Sequence, residues 1–84
     1  MGTYLANCWP QTCVSKAYHI SFPNQYRKIP SVSVSLAGVD AEKSTNLRVQ
    51  LSAIRITTTS FDVDFKTWDD TKIYQLKFTW IACT

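Results

Sequence analysis

Phe61-Asp62-Val63-Asp64-Phe65-Lys66-Thr67-Trp68-Asp69-Asp70-Thr71-Lys72-Ile73-Tyr74-Gln75-Leu76-Lys77-Phe78-Thr79-Trp80 is the stretch on which the fold turns. Before its centre, Phe61, Val63 and Phe65 alternate with Asp62, Asp64 and Lys66. After it, Tyr74, Leu76, Phe78 and Trp80 alternate with Gln75, Lys77 and Thr79. Period-two alternation on both sides of a short polar turn predicts two antiparallel strands joined as a hairpin, each with one buried face. At the tip a Trp, two carboxylates, a Lys and a Tyr project together. Aromatic faces beside hydrogen-bonding groups suit a polar ligand with an apolar patch, such as a sugar. The plainer alternative is that Trp68 and Tyr74 close the end of the core, since aromatics are common near strand ends.

Outward from that segment the strands continue. Tyr18, Ile20 and Phe22 share one side of a first strand that Pro23 ends, and residues 24–30 connect it to the next. Ser31 to Leu36 alternates cleanly, with Val32, Val34 and Leu36 expected inward and the serines outward. Gly38 is expected to open a polar loop running to Thr45. A further strand from Asn46 sets Leu47, Val49, Leu51 and Ala53 on one face. The parity flips at Ala53-Ile54-Arg55-Ile56, as a bulge would explain; alternatively, Ile54 and Ile56 lie on an outer face covered by another subunit. Residues 1–13 show no usable period. Five or six strands, no helical periodicity and frequent turn signals predict an all-β antiparallel β-sandwich as a single domain over residues 1–84.

The chain has 84 residues, 45% of them hydrophobic. That is too apolar for a disordered chain, and no run is long enough to span a membrane. So short a chain buries only about 60–65% of its unfolded surface, so disulfides or subunit contacts are expected to help. Met1-Gly2-Thr3-Tyr4 has neither the basic start nor the apolar run of a signal peptide, as fits a mature form or a chain made without one. Of the net charge of +3, residues 1–39 contribute Lys16, Arg27 and Lys28 and no acid. Three scattered bases are a solvated face rather than a phosphate-tracking stripe, so nucleic acid is not an expected partner.

Cys8, Cys13 and Cys83 lack zinc-ligand spacing, and the single His19 lies within a strand. If the first and last strands are neighbours, a bridge from the N-terminal segment to Cys83 is expected, with the third Cys free or joined to another chain. That favours an oxidising location; three reduced, buried thiols are the alternative. The chain carries no Ser-containing nucleophile elbow, no glycine-rich phosphate loop and no paired zinc-binding histidines. Asp62 and Asp64 share an outward row with Lys66, a solvated face rather than a catalytic pair. Asp69 and Asp70 alone fall short of the roughly six oxygen ligands calcium takes. Neither an enzyme nor a metal or other cofactor is expected.

Asn46-Leu47-Arg48-Val49, Thr57-Thr58-Thr59-Ser60-Phe61, Thr67-Trp68-Asp69-Asp70-Thr71-Lys72-Ile73-Tyr74 and Trp80-Ile81-Ala82, in this order and spacing, resemble the H-type lectins, the family of snail agglutinins, the C-terminal domain of discoidin and coral lectins. The resemblance implies a six-stranded antiparallel sandwich assembled as a trimer or hexamer. It implies binding of galactose or N-acetylgalactosamine at clefts between protomers, with agglutination by cross-linking of glycans outside the cell. Carried over by motif, Arg48 is the sugar-binding Arg, Trp68 the Trp of the Thr-Trp motif, Asp69 the position after it, and Tyr74 completes the aromatic side. The start of the 46–53 strand and the tip at 65–74 need not touch within one protomer, and a site split between neighbours would join them.

Two positions depart from the family pattern. No acid precedes Asp40, where the family places an Asp before the first strand, so Asn7, Gln11 or a backbone carbonyl would have to stand in. Ser60 occupies a turn position that is often Gly, at a steric cost if that turn needs positive φ. An oligomeric adhesion or protein-interaction module without sugar binding is the second reading.

Overall fold

The computed structural model describes residues 1–84 and contains six strands: β1 (Gly2–Asn7), β2 (Lys16–Ser21), β3 (Ser31–Ala41), β4 (Val49–Ile54), β5 (Ser60–Thr67) and β6 (Ile73–Cys83). They form two three-stranded sheets, ordered β1-β6-β3 and β2-β5-β4, with every pairing antiparallel. The body is elongated, 46 × 19 × 16 Å.

The alternating segments 61–65 and 74–80 do form strands, but they are not a hairpin. β5 is the centre of one sheet and β6 the centre of the other. Alternation fixes which side chains point inward; it says nothing about which strand lies alongside. Here the 68–72 connection carries the chain from one sheet to the other. The inward rows of the two central strands then supply one shared core. Phe61, Val63, Phe65, Ile73, Leu76 and Phe78 are fully buried. Phe61 meets Trp80 edge-on at 5.2 Å and Tyr18 lies 6.3 Å from Phe78, each contact linking the two sheets. Each such side chain contributes about 1.5–3 kcal/mol by leaving water.

β1 was invisible to periodicity because Tyr4 and Leu5 are adjacent and apolar; Tyr4 stacks on Phe78 at 5.3 Å while Leu5 is exposed. β3 runs through Gly38 to Ala41 rather than turning there. A register shift between Leu36 and Gly38 absorbs the irregularity, and Gly38 pairs with Lys77. Val32 and Val34 pack on the core, but Leu36, expected inward, is 44% exposed on β3, an edge strand of its sheet. β4 begins at Val49, later than expected, which leaves Asn46 and Leu47 in the preceding loop.

The parity flip after Ala53 is not a bulge, and of the two isoleucines only Ile54, opposite the outward Asp62, lies on the outer face. The strand stops at Ile54, Arg55 takes a left-handed φ of 50°, and Ile56 turns back against the core. Arg55 is held there by its Nη1, 3.1 Å from Asp62 Oδ2, while His19 Nδ1 lies 2.8 Å from Asp62 Oδ1. Asp64 pairs with Lys66 at 3.5 Å. The outward carboxylates thus form surface ion pairs. Ser60 has no positive φ and costs the turn nothing.

The disulfide joins Cys8 to Cys13, and Cys83 is free and exposed. The expected bridge to Cys83 failed on chain direction. β1 and β6 are neighbours, but antiparallel, with Gly2 opposite Trp80 and Asn7 opposite Gln75. Cys8 therefore lies beside Tyr74, nine positions from Cys83, on the order of 30 Å along a strand. A disulfide tolerates about 7 Å between Cα atoms.

Candidate functional site

The residues singled out by motif gather at one end of the body, where β5 ends and β6 begins. Three loops, residues 8–15, 42–48 and 68–72, meet there, and two threonine hydroxyls hold them together. Thr67 Oγ1 donates to the carbonyl of Arg48 at 2.8 Å. Thr71 Oγ1 accepts from the amide of Arg48 at 2.9 Å and donates to the carbonyl of Asn46 at 2.6 Å. Asp70 Oδ1 accepts from the Asn46 amide at 3.3 Å. On the other side, Ser15 Oγ accepts from the Thr67 amide at 2.9 Å and donates to its carbonyl at 3.1 Å. Loop backbone that would otherwise need water is satisfied by side chains of its neighbours.

These bonds tie the backbone of Arg48 to Thr67 and Thr71, the residues that flank Trp68–Asp70, within one protomer, although the two segments need not have touched there. Val49 stands opposite Thr67 as the last pair of the β4–β5 register, so Arg48 and Trp68 are the loop residues that adjoin that pair on either chain segment. Only the backbone of Arg48 is engaged; its guanidinium is absent from the ion pairs, which involve His19, Arg55, Asp62, Asp64 and Lys66. Trp68 is 50% exposed. Asp69 adopts φ of 64°, a left-handed conformation that Asp tolerates better than most residues. A free guanidinium fork, a half-exposed indole and a solvated carboxylate can together serve a ligand with several hydroxyls and an apolar face.

Tyr74 belongs to a second cluster. Its hydroxyl donates to Glu42 Oε2 at 3.2 Å, and its ring packs edge-on against Trp9 at 4.9 Å. Desolvation by the surrounding groups, and then the Glu42 carboxylate, push the Tyr74 hydroxyl above its ordinary pKa. Glu42 Oε1 also accepts from Ser44 Oγ at 3.2 Å, and its amide donates to the Lys72 carbonyl at 2.9 Å. Of the two N-terminal candidates, Asn7 uses its Oδ1 to accept from the Trp9 amide at 3.3 Å. Gln11 is exposed and its amide donates to the Cys8 carbonyl at 2.8 Å.

Sequence reasoning missed Glu42, Trp9 and the two clamping threonines. The Thr residues could have been found, since both sit within the Thr67–Tyr74 motif; Trp9 followed by a proline reads only as a break. No group of three or more His, Cys, Asp or Glu is placed to hold a metal ion.

Residues 17–83 match the family model of the H-type lectin domain. Among characterised proteins, the chain is 36% identical over 63 residues to the "ATP synthase subunits region ORF 7" protein of Fuscovulum blasticum, an alignment covering 75% of this chain and 55% of that one. It is 34% identical over 65 residues to Discoidin-2 of Dictyostelium discoideum, covering 76% of this chain and 25% of the relative. A Discoidin-1 polypeptide of the same organism is 31% identical over 64 residues, with 75% and 25% covered. The chain therefore spans about half the length of the first relative and a quarter of the discoidins.

Proposed function

The chain belongs to the H-type lectin family, carbohydrate-binding proteins and not enzymes, and from that premise we propose that it binds galactose or N-acetylgalactosamine at a cleft between protomers of a homotrimer, single or paired into a hexamer. The two sheets are read as the halves of a β-sandwich, one lectin domain over residues 1–84. The observation that carries the sugar reading is the place of Arg48 and Trp68, each next to the Val49–Thr67 register pair, with Trp68 half-exposed and the Arg48 guanidinium free of carboxylates.

The axial 4-hydroxyl of galactose leaves one face of the ring with several C–H groups, and that face lies against an indole. Arg48 donates in a fixed fork to ring hydroxyl oxygens. Asp69 accepts from hydroxyls, and its charge strengthens those bonds. Because its backbone rather than its side chain clamps the loops, Arg48 can be truncated without loosening them.

The oligomer has support of its own. β3 and β4 are edge strands of different sheets that run alongside one another, and their inward side chains are incompletely covered. Val34, Val49 and Leu51 are half-buried and Leu36 and Val39 exposed, as is Leu47 in the loop before β4. A neighbouring protomer would finish that core, and the seam runs up to Arg48. A shallow cleft holds a monosaccharide weakly, and rigidly linked sites raise avidity by about 10²–10⁴. Glycans outside the cell are the natural target, in keeping with the Cys8–Cys13 disulfide. No helix is long and apolar enough to cross a membrane, and neither membrane insertion nor nucleic acid enters this reading.

Titration with galactose and N-acetylgalactosamine tests it, alongside agglutination inhibited by either sugar. Arg48→Ala and Trp68→Ala should each lower affinity at least tenfold while native mass and melting temperature stay unchanged. Binding indifferent to both sugars would defeat the proposal.

A further inference from the structure

We propose that Gln25, Tyr26, Arg27, Lys28 and Thr84 form a binding site of their own, for a phosphate monoester on a small hydroxylated carrier. These five residues line a pocket of about 470 Å³, toward the lower end of the roughly 300–1,000 Å³ that small-molecule clefts span. The pocket lies where β2 leads into β3 and where β6 ends, at the end of the body away from Arg48 and Trp68.

The connection between β2 and β3 is not a strand, yet it is anchored. The Phe22 amide donates to the Thr59 carbonyl and the Tyr26 amide to the Thr58 carbonyl, each at 2.9 Å. The Tyr26 ring packs edge-on against Phe22 at 4.9 Å, and Phe22 and Pro30 are buried. In an extended strand the neighbours Arg27 and Lys28 would point to opposite sides. The chain instead bends at both residues, and both line the one pocket. A backbone fixed in this way meets its ligand with little further ordering cost.

Neither cation has a partner in the protein. The ion pairs involve His19, Arg55, Asp62, Asp64 and Lys66 only. The side chains of all five lining residues are likewise free of hydrogen bonds within the chain. Residues 22–31, 57–60 and 81–84, the segments that meet here, contain no acid. The first carboxylate along β5, Asp62, is taken by His19 and Arg55.

Two uncompensated positive charges on one pocket attract an anion. The Arg27 guanidinium presents a planar fork that matches two phosphate oxygens, and the Lys28 ammonium adds a point charge. A phosphate monoester carries about −1.5 to −2 at neutral pH, which balances the two cations. A bare ion would leave much of the pocket empty, whereas Gln25, Tyr26 and Thr84 hold donors and acceptors that suit the hydroxyls of a carrier.

The experiment titrates glycerol 3-phosphate, inorganic phosphate, inorganic sulfate and glycerol into the wild-type chain and follows the backbone amide resonances. Glycerol 3-phosphate should give saturating shifts at residues 25–28 and Thr84, and should bind at least threefold more tightly than either inorganic ion; glycerol alone should give none. Arg27→Gln and Lys28→Gln should each weaken the ester about two- to fivefold, as for charge pairs open to water. Arg27→Lys, which keeps the charge and loses the fork, should keep part of the affinity, and the double Arg27→Gln, Lys28→Gln variant should lose saturation. Melting temperature should not move, since neither side chain bonds within the protein. Three results would overturn the site: no saturable shift at these amides in wild type, an inorganic ion bound as tightly as the ester, or wild-type affinity in the double variant. Glycerol 3-phosphate has no sugar ring, so a chain that ignores galactose can still pass this test, and a chain that binds galactose can still fail it.

Discussion

Gly2 lies where an added Cβ would come 2.6 Å from the indole of Trp80. That indole cannot swing aside, since Phe61 and Phe22 hold it at 5.2 and 5.8 Å. Gly2→Ala should therefore destabilise the protein by about 1–3 kcal/mol, the usual cost of overpacking; because Gly2 begins its strand, fraying keeps the loss near the lower figure. A thermal melt reads it, and an unchanged midpoint would mean that β1 is already loose at its start. Asp62 is a second point where one residue has a measurable signature. Its hydrogen bond to His19, opposed by some desolvation and aided by Arg55, holds its carboxyl below the usual range. A depressed folded pKa makes a contribution that is whole above the unfolded value of about 3.9 and lost as pH falls through the folded one. Urea melts of wild type and Asp62→Asn should thus differ at pH 7 and converge as the pH drops well below 4. A gap that persists in acid would assign the difference to packing.

Strands are where the sequence was most and least readable. The inward rows Phe61-Val63-Phe65 and Leu76-Phe78-Trp80 were legible because burial imposes a period of two on any strand with one dry face. Their partners were not, because a five-residue link serves a hairpin or a crossing between sheets equally well. The same gap explains the cysteines: the bridge to Cys83 was conditional on neighbouring first and last strands, but direction decides which ends meet. Of the candidate site, Arg48, Trp68 and Asp69 were named through motif order. Trp9 and Glu42 were not, since only the folded chain brings residues 33 positions apart to one tyrosine. The 8–13 loop carries its own prediction. Closing six residues by a disulfide is worth roughly 2 kcal/mol of chain entropy, so reduction should lower the melting midpoint by about 10 °C. It should also speed amide exchange at Cys8 and Cys13, whose partners lie on β6. Exchange that stays slow after reduction would show that the strand bonds alone fix the loop.

At the level of the whole molecule, 13 of 84 residues are buried, a small core for a chain that must stand alone. The half-covered seam between β3 and β4 makes native mass the informative measurement. The wild-type chain should run as a trimer or a multiple of it, and Leu36→Asp should reduce it to a monomer with its strands intact, because a charge at a desolvated contact is costly. A wild-type chain that is monomeric at micromolar concentration would remove the inter-protomer cleft, leaving Arg48 and Trp68 to act within one protomer.

The side chains proposed to hold sugar sit at one tip of a body 46 Å long, and the opposite tip holds Gln25, Tyr26, Arg27 and Lys28 around a pocket beside Thr84. A ring of such bodies standing side by side would be a brush with all its bristles aimed one way. It would grade the density of sugars on a single flat coat, and no individual ring could clasp two cells. Holding two together would need a second ring mounted tail to tail, so the far tip, not the one that holds sugar, would determine whether cells clump.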